Sequence, residues 1–140
     1  MTIDEIFSNM PRLQWYVDDF GGPGDAGWVA EIDGLVAGVL WFRLFTSDMP
    51  GLGFLDVSTP ELGIAVWPEF RRQGVGGTLL DAAKMHAAEM GFDRLCLTVS
   101  EHNERARGLY ASRGFYKVSR EGPMLKLVCD LEASRLTLSS

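Results

Sequence analysis

The 140-residue chain has only two cysteines and two histidines. Cys96 and Cys129 form neither a C-x-x-C pair nor a metal-ligand spacing, and no cysteine cluster stands beside His86 or His102. A disulfide framework and a metal site are therefore not expected, and the plain reading of the cysteines is buried free thiols in a reducing cytoplasm. Basic residues are also few: 13 Lys and Arg against 19 Asp and Glu leave a net charge of −6. Such a chain gains nothing from long-range attraction to DNA or RNA, so nucleic acid is not an expected partner. No apolar run reaches the ~20 residues of a membrane-spanning helix, and Arg43 interrupts the longest aromatic stretch. The opening Met1-Thr2-Ile3-Asp4-Glu5 carries acid where a secretory signal carries base, which favours a cytoplasmic location. Repeats, low-complexity tracts and linkers are lacking, and the Gly/Pro-rich stretch 20–27 is too short to separate domains. The chain 1–140 thus reads as one domain.

An apolar fraction of 46% is enough to build a core. Residues 2–9 read as a short helix with Thr2 as its cap, and 11–20 read ambiguously, as a helix turning Leu13, Tyr16 and Val17 inward. Strands are expected at 28–32 and 35–45, joined by the Asp33-Gly34 turn. A Gly/Pro-rich excursion at 48–60 leads into a central strand at 62–67. A helix is expected over 78–90, with Leu80, Ala83, Ala87 and Met90 on one face and Gly91 ending it. Then come a buried strand at 94–100, a helix at 103–113 and closing strands at 115–120 and 124–131. The pattern is an α/β (α+β layered) domain, a mixed sheet with helices on its faces.

The most informative stretch is Arg71-Arg72-Gln73-Gly74-Val75-Gly76-Gly77-Thr78, between the central strand and the first long helix. A glycine-rich loop opening a helix presents unpaired N–H groups at the positive end of the helix dipole, and glycine lets that backbone approach a ligand closely. The arrangement suits a phosphate or pyrophosphate. The Walker pattern is excluded because Thr78 follows Gly77 rather than Lys, and the dinucleotide pattern because Leu79 stands where a third glycine is needed. What remains is Arg-x-x-Gly-x-Gly, and a plain strand-to-helix turn with surface arginines stays open as the alternative.

A second segment bears on that choice. Asn103 is a good N-cap, and Gly114 suits the residue past a helix end. Between them Asn103, Ala106 and Tyr110 share one helix face. That face carries an amide, a small residue and a phenol, an odd stripe for a core. The alternative reading makes Tyr110 a core aromatic with its hydroxyl at the surface.

Together these residues resemble the GCN5-related N-acetyltransferase (GNAT) superfamily. The matching text is Glu61-Leu62-Gly63-Ile64-Ala65-Val66-Trp67-Pro68, then Arg71-x-x-Gly74-x-Gly76, then Asn103-x-x-Ala106-x-x-x-Tyr110-x-x-x-Gly114-Phe115, and it covers about residues 28–128. The resemblance implies a mixed, mostly antiparallel sheet flanked by helices. The family's usual first strand is missing or unrecognisable here, and its helical part is compressed into about 20 residues. A sheet edge exposed in this way is one that a second copy of the chain can cover as a homodimer.

The resemblance also implies a chemistry. Acetyl-CoA would be the co-substrate, with no metal, in a V between the strands ending at Val66 and Ser100. A β-bulge near Ala65-Val66 would splay them. Ile64, Ala65 and Val66 would line the thioester end, with the Val66 N–H on the oxyanion. The run from Arg71 and Arg72 through Gln73, Gly74, Val75, Gly76 and Gly77 to Thr78 would bind the pyrophosphate, and Asn103, Ala106 and Tyr110 would face the pantetheine arm. A primary amine of a small molecule or peptide would attack directly. Glu61 is the candidate base, with Asp56 in reserve or water between, and Tyr110 the candidate acid for the leaving thiolate. Apart from the resemblance, aromatics beside carboxylates suit a cationic amine, which makes Trp15, Tyr16, Asp18 and Asp19, and Phe45, Asp48 and Phe54, candidates for the acceptor site; the alternative reading makes Trp15 and Phe45 core and the acids a solvated face. A non-catalytic acyl-CoA-binding module or subunit is the alternative function.

Overall fold

The computed structural model describes residues 24–44 and 58–131. Their strands are β1 (Ala26–Ile32), β2 (Leu35–Arg43), β3 (Glu61–Val66), β4 (Arg94–Ser100), β5 (Tyr116–Glu121) and β6 (Met124–Asp130), and their helices are α1 (Val75–Glu89) and α2 (Glu104–Ser112). The expected helices before residue 24 lie outside the described residues, as does the place of the family's first strand.

Among the described residues one six-stranded sheet runs in the order β1-β2-β3-β4-β6-β5. Every neighbouring pair is antiparallel except β3 and β4, which are parallel. The hairpin turn Asp33-Gly34 takes positive φ at both residues, 53° and 80°, as a two-residue hairpin loop requires. Strand alternation sorts the side chains. Leu40 and Phe42 of β2, Leu62 of β3, Leu95, Leu97 and Val99 of β4, and Leu125 and Leu127 of β6 enter one buried cluster. Leu79, Leu80, Ala83 and Ala87 of α1 close it from above. Val39, Trp41, Glu61, Gly63, Cys96 and Thr98 alternate onto the opposite face.

Three expectations need correction. The first helix starts at Val75, not at residue 78, with Gly74 as N-cap at φ 77° and the Thr78 N–H donating to the Gly74 carbonyl at 3.0 Å. Its first turn is two-thirds glycine, a composition that reads as loop, yet Val75, Gly76 and Gly77 are all buried there. Tertiary packing overrides their weak propensity. Met90 is 43% exposed rather than inward, because the helix stops at Glu89 and the chain turns away. The β-bulge expected near Ala65-Val66 is absent: β2 and β3 pair without interruption from Arg43↔Glu61 to Gly38↔Val66. The register shifts lie instead between Ala30 and Glu31 and between Lys117 and Ser119.

Candidate active-site cleft

The splay has another origin. Strands β3 and β4 share a single pair, Glu61↔Cys96, near the start of each strand. There the Cys96 N–H donates to the Pro60 carbonyl at 3.0 Å. Beyond that point β4 stays fully paired with β6, and β3 with β2. The two ladders diverge and the sheet opens into a V toward the C-terminal ends of both strands. Backbone directions follow from the alternation of an antiparallel ladder. The Trp67 N–H donates to the Ala37 carbonyl of β2 at 2.9 Å, so the N–H groups of Val66 and Ile64 turn the other way, into the gap. On the facing strand the Cys96 bond sets the direction, and the N–H of Thr98 points into the gap too.

A cleft of about 600 Å³ lies at the mouth of this V. It is lined by Ile64, Ala65 and Val66 at the end of β3 and by Arg71, Arg72, Gly74, Val75, Gly76 and Gly77 before and within the first turn of α1. Asn103, Ala106 and Tyr110 of the α2 segment complete the opposite wall. The residues singled out in the two sequence motifs thus meet in one place, although about 30 positions separate them. Gln73 and Thr78 are exposed and outside the lining; the Gln73 Nε2 donates to the Glu69 carbonyl at 3.5 Å. Phe70 and Leu109 line the cleft as well and carried no sequence signal beyond being apolar. The Leu109 side chain reaches over Gly76, its Cδ2 only 2.9 Å from where a Cβ would stand, so α2 can cross the start of α1 closely.

Local chemistry fixes each wall. Pro68 opens a short 3-10 turn to Phe70, which redirects the chain after β3. Arg72 at φ 67° and Gly74 at φ 77° then take left-handed backbone and bend it into α1. The Asn103 Oδ1 accepts from the Ala106 N–H at 3.2 Å and caps α2. Tyr110 is buried, 7% exposed, with its ring 5.8 Å from that of Phe115. Desolvation pushes its phenol up to about 12, so it stays protonated at any physiological pH.

Glu61 stands apart from this cleft. It opens β3 at the closed end of the V, 3% exposed, level with Arg43 on one side and Cys96 on the other. It lies about 16 Å along the strand from Val66, at roughly 3.3 Å per residue. On that same sheet face Gly63 makes room for Trp41, whose Cε2 lies 2.7 Å from where a Cβ would be. The Thr98 Oγ1 is buried and has no hydrogen-bond partner among the described residues. Asp56, Phe45, Asp48, Phe54, Trp15, Tyr16, Asp18 and Asp19 fall outside the described residues. His86 packs edge-on against Trp28 at 5.4 Å and is a core-facing aromatic of α1. Among the described residues no group of His, Cys, Asp and Glu is placed to hold a metal ion, and no helix is long and apolar enough to cross a membrane.

Comparison with known proteins agrees with this geometry. The family model described as "Acetyltransferase (GNAT) family" matches residues 3–115. The mycothiol acetyltransferase of Propionibacterium freudenreichii is 33% identical over 88 residues, covering 63% of this chain and 26% of that protein. An uncharacterized N-acetyltransferase from the pepI 3′ region of Lactobacillus delbrueckii is 34% identical over 107 residues, covering 73% of this chain and 60% of that protein. The chain therefore spans between about a quarter and three-fifths of the length of these relatives. Among solved structures, YncA of Salmonella typhimurium, determined with its cofactor acetyl-CoA, superposes with a TM-score of 0.66 at 22% identity, over 86% of this chain and 72% of that one.

Proposed function

The chain belongs to the acetyltransferase (GNAT) family, and from that premise we propose that it transfers an acetyl group from acetyl-CoA to a primary amine of a small molecule or peptide. The observation that carries this reading is the open V of β3 and β4 with the glycine turn of α1 at its mouth.

Each part of the cofactor has a matching surface. The unbonded N–H groups of the first turn of α1 suit the pyrophosphate, with Arg71, Arg72 and Arg105 beside them. The pantetheine arm carries amides, and the gap offers backbone groups of Ile64, Val66 and Thr98 that a slender strand-like chain can pair with. Ala106 and Gly76 keep the passage narrow-walled but open. The Val66 N–H, aimed into the gap, suits the carbonyl oxygen of the thioester, where charge develops during attack.

In the reaction the amine nitrogen forms a bond to the carbonyl carbon and the carbon–sulfur bond breaks. The amine gives up a proton, and the sulfur leaves as thiolate. With a phenol at about 12 and a thiol near 8.5, full proton transfer from Tyr110 is uphill on the order of 5 kcal/mol. Tyr110 therefore serves chiefly as a hydrogen-bond donor to the departing sulfur, and the proton shed by the amine finally neutralises the thiolate. Glu61 is the proposed base. Its place at the closed end of the V, about 16 Å along the strand from Val66, is too far for one bridging water, so a base role for it requires a relay of several waters. The two free, buried cysteines suit a reducing cytoplasm.

A free-thiol release assay with acetyl-CoA over a panel of primary amines tests the proposal. Coenzyme A release that depends on one of the amines supports it. Acetyl-CoA binding without release for any amine would favour the non-catalytic module.

A further inference from the structure

Gly77 is the third residue of α1, and its backbone lines the cleft. The hollow left by its absent side chain is filled by Arg113 of the turn after α2. The guanidinium Cζ lies 2.9 Å, and the Nε 3.6 Å, from where a Cβ would stand. Alanine at position 77 would already displace the guanidinium. The Arg113 Nε donates to the Asp81 Oδ1 at 3.0 Å, and the Nη1 to the Ser112 Oγ at 3.2 Å. The Nη2, the nitrogen pressed onto Gly77, has no partner among the described residues.

This is an uneconomical arrangement for stability alone. A cation is held against the positive end of a helix, where the dipole disfavours it. Its partner Asp81 is 62% exposed, and such pairs contribute little in water. Arg71, Arg72 and Arg105 stand around the same turn with no partner for their guanidinium groups among the described residues. An anion at this turn resolves the conflict: it satisfies the dipole, the free Nη2 and the neighbouring arginines together.

We propose that Arg113 is a specificity residue for the phosphates of the cofactor, kept by Gly77 against the first turn of α1 and held ready there by Asp81. The inference rests on the acetyl-CoA reading above. When the phosphates bind, the guanidinium shares its charge with them. Asp81 is then a competitor for Arg113, and its removal strengthens binding.

The test is calorimetric titration of the full chain and its variants with adenosine 3′,5′-bisphosphate, which carries phosphate and no pantetheine. Arg113→Gln is expected to weaken binding about fivefold or more. Asp81→Asn is expected to tighten it about two- to threefold. Arg113→Lys keeps the charge, loses the fork and is expected to fall between wild type and Arg113→Gln. A purely structural pin predicts that both sides of the ion pair weaken binding alike, and that result, or no change in Arg113→Gln, overturns the inference. A wild-type chain that binds neither this ligand nor acetyl-CoA overturns the cofactor reading, and the inference with it.

Discussion

Tyr110 is the residue whose surroundings most constrain the chemistry. Its phenol is buried against Phe115 at the wall of the cleft and is pushed up to about 12 by loss of water. Two outcomes follow. Tyr110→Phe is expected to lower turnover about tenfold or more while leaving acetyl-CoA affinity within about twofold, measured by steady-state kinetics and calorimetry; unchanged turnover removes Tyr110 from the reaction. The second concerns stability. The folded phenol holds its proton to about 12, whereas an unfolded tyrosine releases it near 10. The unfolded state alone ionises between these values, so the fold loses up to about 2–3 kcal/mol as pH rises from 10 to 12. Denaturant titrations at pH 9 and pH 11.5 should show a smaller loss in Tyr110→Phe than in wild type. Glu61 permits a similar division of roles: Glu61→Gln should lower kcat and flatten the acid side of its pH profile if the carboxylate draws the proton through water. A variant that only melts earlier, with kcat intact, assigns Glu61 to structure.

Among the elements, the contact between β2 and α1 sets the mouth of the cleft. A Cβ on Gly38 would stand 2.9 Å from the Val75 Cγ1, 3.0 Å from the Ala65 carbonyl oxygen and 3.2 Å from the Leu79 Cδ1. Two of these neighbours can turn aside, but the carbonyl belongs to the β3 ladder and cannot. Gly38→Ala should therefore cost about 1–3 kcal/mol and weaken acetyl-CoA binding by lifting the first turn of α1, which thermal melts and calorimetry check. Gly74→Ala meets no atom and bears only the cost of left-handed backbone. The elements themselves were largely legible from the chain: alternation in Leu95, Leu97 and Val99, the Asp33-Gly34 turn, and Asn103 as a cap all act locally. The two walls of the candidate cleft were legible, because glycine spacing and the Asn103, Ala106 and Tyr110 stripe encode local geometry. The cause of the splay was not. It depends on β4 keeping β6 as its partner while β3 keeps β2, a contest between distant strands that leaves no mark within β3. The start of α1 was missed for a related reason: Gly76 and Gly77 are helical because Leu109 and Arg113 pack onto them from 33 and 36 positions away. No local rule places Arg113 against Gly77.

At the scale of the whole molecule, a chain of net charge −6 gathers arginines at one opening. Overall charge opposes a polyanionic cofactor and the local cluster favours it, so affinity should fall as salt screens that cluster. The sheet gives this opening its rigidity, since both arms of the V are held by complete antiparallel ladders. On the sheet face that carries Trp41 and Gly63, the Thr98 Oγ1 is buried without a hydrogen-bond partner among the described residues. All of this depends on acetyl-CoA occupying the cleft, and calorimetric titration of the full chain with acetyl-CoA tests that most directly. The account predicts one site per chain with a dissociation constant between about 1 μM and 1 mM, weakened by added salt. Absence of binding at millimolar acetyl-CoA would contradict it.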